Sequence, residues 1–401
     1  MTSPSSADLE VGDRIRARRL TRGWSIRHAA SRAGLSHATW SRIERGIQTA
    51  GNRFTLARIA EALECTPDDL ARAAVPAADR DVRAALTGAV AVRRALIDVD
   101  LTEAAEGAAP PMAELARTAE LAESLLQACD YAAVIRILPG LLRDLHVETA
   151  GPDSGQALRL LCTAASTASS VLRVLGLPAD AWLAAERSQA AADSCGDPVL
   201  RGYAAYARAS AAVVAGSYQR GLTLAERAAG DLGRHVARPG AAEVLGSLHL
   251  VCALASQCGR RLDDSRDFSA EAAALARRTG ETSAMGLFFG PTNVGLWRIS
   301  IEVEDGDPGH AVEIARRVTP AALPVGLRQV YYYADTARAL AAVGHRDREA
   351  IRLLLTAERL APQHVHRTAD IAATVRTLLD RSRRQAGGSE LRGLGARMLI
   401  G

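Results

Sequence analysis

Residues 25–46 read SIRHAASRAGLSHATWSRIERG, and this stretch decides the fold of the N-terminal part of the chain. In its first half, small apolar residues recur at the spacing of one helical face: Ile26, Ala29, Ala30 and Ala33. Ser36 stands at the N-cap of a second helix, on which Trp40 and Ile43 share a face. Gly34 supplies the positive φ that a tight turn between helices needs. The stretch therefore predicts a helix-turn-helix.

The flanking sequence predicts three further short helices. A basic helix precedes the motif and ends at Gly23, and an amphipathic helix follows it. Thr66 suits the N-cap of a fifth helix, and Pro67 suits its first position. Residues 11–74 therefore predict one five-helix domain, preceded by a disordered tail at residues 1–10.

Several motifs of this domain occur together in a characteristic order: GDRIRARR, RGWS, AASRAGLS, SRIERG and LARIAEAL. In that order and spacing they resemble the lambda-repressor-like, Cro-type DNA-binding domain of the XRE family. Members of that family place the second helix of the motif in the major groove, with its first residues at base edges. The resemblance implies that His37, Ala38 and Arg42 read bases. With neighbouring side chains and phosphate contacts, the predicted DNA-binding residues are Arg27, Ser36, His37, Ala38, Thr39, Arg42, Arg45 and Arg53.

Positive charge is concentrated in the same stretch. Residues 11–60 hold eleven arginines against Asp13 and Glu44, which gives a formal charge of +9, whereas the whole chain carries +4. Such a patch attracts phosphates through counterion release, and its binding weakens steeply with salt. The chain contains no lysine, so a solvated surface of an arginine-rich protein is the alternative. Because the charge is confined to one domain, double-stranded DNA is the expected partner.

Length and composition limit the other function classes. The 401 residues suffice for two or three domains with substantial cores. Neither a signal peptide nor a run of eighteen apolar residues is found, so no membrane span and a cytoplasmic location are expected. The six cysteines lack zinc-finger or CxxC spacing, and a surface turn is favoured over a metal pair at His364 and His366. Nucleotide-binding and hydrolase motifs are missing, so no enzyme, cofactor or metal is expected.

The rest of the chain predicts an all-α array of helical hairpins. A linker and connecting helix occupy residues 75–110, an alanine- and leucine-rich array occupies 111–385, and a tail occupies 386–401, as either a mobile segment or a terminal cap. Turns recur about every forty residues, at 129–131, 176–178, 216–218, 259–261, 306–308 and 344–346. This period is typical of a helical-hairpin solenoid, and the pattern around Gly216 and the segment AERLAP resemble the tetratricopeptide repeat. A plain helical bundle is the alternative.

Such a solenoid has a concave groove lined mainly by the first helix of each hairpin. Counting back from each turn places polar and aromatic residues inside it, and an amide such as Asn293 can bind a peptide backbone through both donor and acceptor. The predicted ligand-binding residues are Tyr203, Tyr206, His249, Phe289, Asn293, Trp297, Tyr331, Tyr332 and Arg338. Tyrosines at this spacing also brace hairpins, so packing is the alternative role.

The combined architecture resembles bacterial regulators that join a Cro-type domain to tetratricopeptide-like repeats, including regulators that sense peptides. The resemblance implies a homodimer on a pseudo-palindromic operator. We hypothesise that a peptide or small-molecule effector alters the curvature of the array and so changes operator affinity. In one alternative, the repeats bind a protein partner and no small ligand exists. In another, the helix-turn-helix makes only protein contacts, and the eleven arginines argue against this second alternative.

Overall fold

The structure is a computed structural model that describes residues 6–48, 50, 53–65, 67–71, 80–103, 105, 107–305, 307–323, 325–382, 388–398 and 400. Within these ranges every regular element is a helix, which confirms the all-α prediction. Five short helices form the N-terminal domain: α1 (Ser6–Thr21), α2 (Ile26–Arg32), α3 (His37–Glu44), α4 (Arg53–Ala62) and α5 (Pro67–Ala71).

Small residues let the N-terminal helices cross closely. Gly12 of α1 lies against α3, and a Cβ at that position would come within 2.6 Å of the Ile43 carbonyl oxygen. Ile15 and Trp40 are fully buried between the helices. Gly34 has a φ of +60°, as predicted for the turn between α2 and α3. This turn and the small core fix α3 relative to α1 and α2.

The ends of this domain differ from the prediction in one respect. Helix α1 begins at Ser6, inside the segment 1–10 that was expected to be disordered. Pro4 is the last helix breaker before Val11, so nothing in the intervening sequence stops the helix from extending toward the N-terminus. Pro67 begins α5 as predicted, whereas Thr66 lies outside the described residues.

Sixteen further helices are described after the N-terminal domain: α6 (Arg80–Asp98), α7 (Met112–Gln127), α8 (Tyr131–Glu148), α9 (Ser154–Val174), α10 (Pro178–Cys195), α11 (Pro198–Val214), α12 (Tyr218–Gly233), α13 (Ala241–Cys258), α14 (Leu262–Thr279), α15 (Pro291–Asp305), α16 (Pro308–Ala315), α17 (Gly326–Val343), α18 (Asp347–Leu360), α19 (Pro362–Arg367), α20 (Ala369–Ser382) and α21 (Ser389–Arg397). Helices α7–α18 form six successive antiparallel hairpins. Each predicted turn falls between the two helices of a hairpin, although Gly306 lies outside the described residues.

Helix α6 is a part of the array rather than a connector. Its buried face, which includes Val92 and Leu96, belongs to the main apolar core and packs on α8. Arg93 makes a bidentate ion pair with Asp180 of α10, with both N–O distances at 2.6 Å. The array therefore begins at residue 80, which corrects the boundary predicted at 111. Apolar residues at helical spacing in α6 need a partner surface, and α8 supplies it.

The array closes on itself. The Tyr131 backbone N donates to Oε1 of Gln363 at 3.0 Å, and the Tyr131 hydroxyl is 2.8 Å from Nδ1 of His364. Arg367 donates to the Leu175 carbonyl at 2.8 Å, across 192 positions of sequence. Helix α19 is thereby held against the ends of α8 and α9. The contacts of α19 therefore bridge the concave face, which forms a partly open cavity instead of the open groove expected from the hairpin pattern.

The surface turn predicted around His364 was wrong. His364 is 3% exposed, and Nε2 of His366 lies 2.9 Å from Oε1 of Glu358. Both imidazoles therefore help to hold α19 against its neighbouring helices. Across the described ranges, no group of three or more His, Cys, Asp or Glu side chains is arranged to hold a metal ion.

The C-terminal segment 386–401, predicted as a mobile tail or a terminal cap, contains a packed helix. Leu391 and Leu394 of α21 are fully buried. Arg397 makes a bidentate ion pair with Glu358 of α18, at 2.7 and 2.6 Å. Helix α21 therefore caps the end of the array.

Helix α13 is long and apolar enough to cross a membrane by length and composition alone. However, 72% of it is buried inside the structure. Helices in the core of a globular protein are often equally long and apolar, and the burial of α13 between α12, α14 and α11 accounts for its composition.

Candidate DNA-binding surface and ligand cavity

Helix α3 presents its first turn to solvent. The Ser36 hydroxyl accepts a hydrogen bond from the Thr39 backbone N at 3.0 Å, so Ser36 is the predicted N-cap. His37, Ala38 and Arg42 are exposed. The side chains expected to read bases therefore lie on one accessible helix face, where a DNA groove can meet them.

The other predicted DNA contacts flank this face. Arg27 of α2 is exposed. Arg45, also exposed, follows α3 and donates to the carbonyl four residues before it at 3.1 Å. The Thr39 hydroxyl is 2.8 Å from that of Ser36, so it supports the cap. Arg53 begins α4, but its side chain lies outside the described residues.

One arginine of the basic stretch is buried and structural. Arg19 makes a bidentate ion pair with Glu44, at 2.6 and 2.9 Å. The Trp40 indole N–H also donates to Glu44 at 2.6 Å, and Arg19 donates to the Trp24 carbonyl at 2.7 Å. The side chains of Arg19 and Glu44 are only 8% and 4% exposed. The hydrogen bond and the charge of Glu44 raise the pKa of Arg19, which therefore stays charged but faces no DNA.

Two more arginines bind the backbone of the domain itself. Arg14 donates to the Leu70 carbonyl at 2.7 Å. Arg58 donates to the Ala33 carbonyl at 2.9 Å, which ties α4 to the end of α2. Burial and the nearby Arg260 of the array lower the pKa of Arg58. The charge that is open to DNA is therefore smaller than the sum of the eleven arginines suggests.

The N-terminal domain thus combines a capped turn between two crossed helices with an exposed basic face on the second. Residues 10–73 match the family model for a helix-turn-helix domain. The chain therefore carries the DNA-binding domain of a regulator, over about a sixth of its length. A comparison with curated proteins finds no match. The Cro-type and tetratricopeptide assignments stay predictions.

A cavity of about 390 Å³ lies inside the closed array, within the range of about 300–1,000 Å³ that is usual for small-ligand sites. The first helices of the hairpins supply most of its wall. The helix-turn-helix domain supplies another part, through Leu56, Ala57 and Pro67. Ala57 is 3% exposed and shares an apolar cluster with Val213 of α11. One side of the cavity is therefore the DNA-binding domain itself.

Five of the nine residues predicted to bind a ligand line this cavity: Tyr203, Tyr206, Asn293, Trp297 and Tyr331. Asn293 is 2% exposed, and its amide N donates to the Leu287 carbonyl at 3.5 Å. Its amide oxygen has no hydrogen-bond partner in the part of the chain that the structure describes. A buried amide oxygen left in this state costs free energy, so a donor from a bound ligand would be favourable there.

The other four predicted residues do not line the cavity, which corrects their assignment to its wall. Phe289 is fully buried against Gly246, and His249 pairs with Glu271 at 3.0 Å. The Tyr332 hydroxyl donates to the Ala315 carbonyl at 3.1 Å and so braces α17 against α16. The fourth residue is Arg338. An error of one position in counting rotates a helical side chain by about 100°, which is enough to exchange the cavity face for a packing face.

Two cavity carboxylates explain the position of Arg338. Asp335 and Asp370 both line the cavity. Arg338 donates to Asp335 at 2.8 Å, and its other terminal N is 4.0 Å from Asp370. Arg338 therefore balances the charge of both carboxylates from behind the wall.

Several polar cavity residues escaped the sequence prediction: Glu123, Gln127, Arg173, Arg328 and Arg367. They lie near the ends of α7, α9 and α19 or in the first turn of α17, where counting back from the hairpin turns does not reach. Burial, and secondarily Glu120, raise the pKa of Glu123. Burial lowers the pKa of His364, another lining residue, to about 4, and the charge of Asp335 opposes this shift. The imidazole in the wall is therefore neutral at pH 7.

Proposed function

We propose that this protein is a sequence-specific transcriptional regulator of the Cro type whose tetratricopeptide-like array binds a small effector. The observation that carries the proposal is the cavity wall shared by the array and the helix-turn-helix domain. A ligand that touches Leu56, Ala57 and Pro67 has different contacts when the two domains separate. Its binding is therefore coupled to the position of the DNA-binding domain, and by linkage to operator affinity.

The coupling proposed here is more direct than a change in the curvature of an open superhelix. Because α19 holds the array closed, the array has little freedom to bend without losing the contacts of Tyr131 and Arg367. The helix-turn-helix domain, in contrast, meets the array through α4 against α13 and α15. This contact is the element that a cavity ligand can bias.

A homodimer on a pseudo-palindromic operator is part of the proposal. Val90 and Ile97 of α6 are 44% and 57% exposed and lie seven residues, or two helical turns, apart. They form an exposed apolar stripe on α6, which is the first helix described after the DNA-binding domain. Selection of bound sequences from a random duplex pool by the full-length protein, repeated over a salt series, tests both points. We expect a two-fold symmetric site whose affinity falls steeply with salt; an asymmetric site would contradict the dimer.

Arg42→Ala is expected to relax base preference at one position of each half-site and to cost roughly 1–3 kcal/mol in operator binding. Arg27→Ala is the matched comparison, since a phosphate contact should weaken all sequences alike and lower the salt slope by about one unit. Affinities for the selected site and for single-base variants of it give both quantities. Unchanged base preference in Arg42→Ala would show that Arg42 does not reach the bases.

Ser300→Trp is expected to change operator affinity without touching the DNA-binding domain. Ser300 lines the cavity, and an indole there occupies the space that a ligand would fill. We expect a shift of about 5–150-fold, the usual size of an allosteric coupling. Ser389→Trp, which is exposed at the start of α21, is the control and should bind like the wild type.

The alternative function is a DNA-anchored scaffold whose repeats bind a protein partner. If a folded Ser300→Trp variant binds the operator with wild-type affinity, the proposed coupling is wrong and this alternative is favoured. Neither function involves a catalytic step.

A further inference from the structure

Building on the effector role proposed above, we infer that the ligand of this cavity is an organic anion, a carboxylate on an apolar or aromatic body. The cavity holds guanidinium groups that are not neutralised, polar atoms that lack partners, and apolar walls between them.

The strongest observation is the state of Arg173 and Arg328. Arg173 contacts the Ser170 hydroxyl at 3.5 Å, and Arg328 donates to the Leu287 carbonyl at 3.1 Å. Nε of each is buried without a hydrogen-bond partner in the described ranges, and neither guanidinium lies within 4.0 Å of a described carboxylate. Both side chains are partly buried, and a guanidinium group that is shielded from water costs free energy unless a counter-charge balances it.

The carboxylates of the cavity do not balance these two arginines. Asp335 and Asp370 are already held by Arg338. Glu123 is the remaining acidic group of the lining, and within the described residues it makes no ion pair with either Arg173 or Arg328. The cavity therefore carries surplus positive charge that a ligand carboxylate would neutralise, and a guanidinium offers paired donors that match a carboxylate.

The other lining residues define the body of the ligand. Leu254, Leu296 and Leu327 give apolar wall, to which four aromatic side chains are added: Tyr203, Tyr206, Trp297 and Tyr331. The Ser210 hydroxyl, 6% exposed, has no hydrogen-bond partner among the residues described, like the Asn293 amide oxygen. A mostly apolar pocket with a few oriented polar groups is the usual arrangement for a small organic ligand.

The test compares acids with their neutral amides in calorimetric titrations of the full-length protein. The probes are phenylacetate, 3-phenylpropionate, indole-3-acetate and octanoate, each beside its primary amide. We expect at least one acid to bind at least about tenfold more tightly than its amide. Arg173→Gln and Arg328→Gln should each weaken that acid by at least about tenfold and leave the amide unchanged. Arg227→Gln, exposed on α12 and outside the cavity, should have no effect.

Equal affinity for acid and amide, no binding of any acid, or an acid affinity that both folded cavity variants retain would each overturn the inference. The acid–amide comparison needs no variant, so a folding defect does not decide it. Failure of the regulatory proposal is separable, since Ser300→Trp tests operator coupling without any ligand. An operator shift in that variant without acid preference would leave the regulator standing and reject the anion. Preferential binding of an acid without an operator shift in Ser300→Trp would support the anion and reject the regulatory coupling.

Discussion

Glu44→Ala is expected to destabilise the helix-turn-helix domain by about 3–5 kcal/mol, because it leaves the Arg19 charge buried without a counter-charge. Glu44 accepts from both Arg19 and the Trp40 indole, so three donors lose their acceptor at once. A domain of this size has a total stability of only about 3–10 kcal/mol. Thermal unfolding followed by circular dichroism should show a separate early transition, and operator binding should be lost with it.

Glu64→Ala is the matched control for this loss. Glu64 also faces arginines, with Arg22 at 3.9 Å and Arg32 at 3.8 Å, but its side chain is 65% exposed. An exposed pair contributes about 0–1 kcal/mol, so this variant should unfold like the wild type. Equal unfolding of the Glu44→Ala and Glu64→Ala variants would mean that burial of the Arg19 pair contributes nothing to the domain.

The helix-turn-helix was predictable because its signals are local. The N-cap at Ser36, the positive φ at Gly34 and the proline that begins α5 are each decided within a few residues. The role of Glu44 was not predictable in this way. In the sequence it is one of two acids among eleven arginines, and only the crossing of α1 and α3 brings it to Arg19, 25 positions away.

The cavity was predictable only in outline. The repeated turns located the hairpins and therefore the helices that form the concave face. Closure by α19 depends on the pairing of Tyr131 with His364, 233 positions apart, which leaves no periodic trace in the sequence. The contribution of α4 to the wall is equally nonlocal. The direction in which a side chain leaves its element explains why Phe289 and Tyr332 were wrongly predicted to line the cavity. Aromatic residues of this kind are suited to packing and to ligand binding alike.

Lowering the pH from about 6.5 to 4 is expected to reduce the free energy of unfolding of the array by about 3 kcal/mol through His364 alone. Burial lowers the pKa of His364 to about 4 in the folded protein, whereas an unfolded histidine titrates near 6.5. Between these values the unfolded chain binds a proton that the folded chain does not. The stability contribution is therefore complete above about pH 6.5 and is lost as the pH falls toward 4. Urea unfolding at pH 7, 6, 5 and 4 measures this loss.

Carboxylates titrate in the same range, so the comparison needs variants. His364→Asn removes the imidazole. Between about pH 6.5 and 4 we expect the free energy of unfolding of this variant to fall by about 3 kcal/mol less than that of the wild type. His345→Asn should keep the full wild-type pH dependence, because His345 is exposed. Its φ of +59° is one that asparagine tolerates. Identical pH dependence in all three proteins would mean that the pKa of His364 is the same in the folded and the unfolded chain.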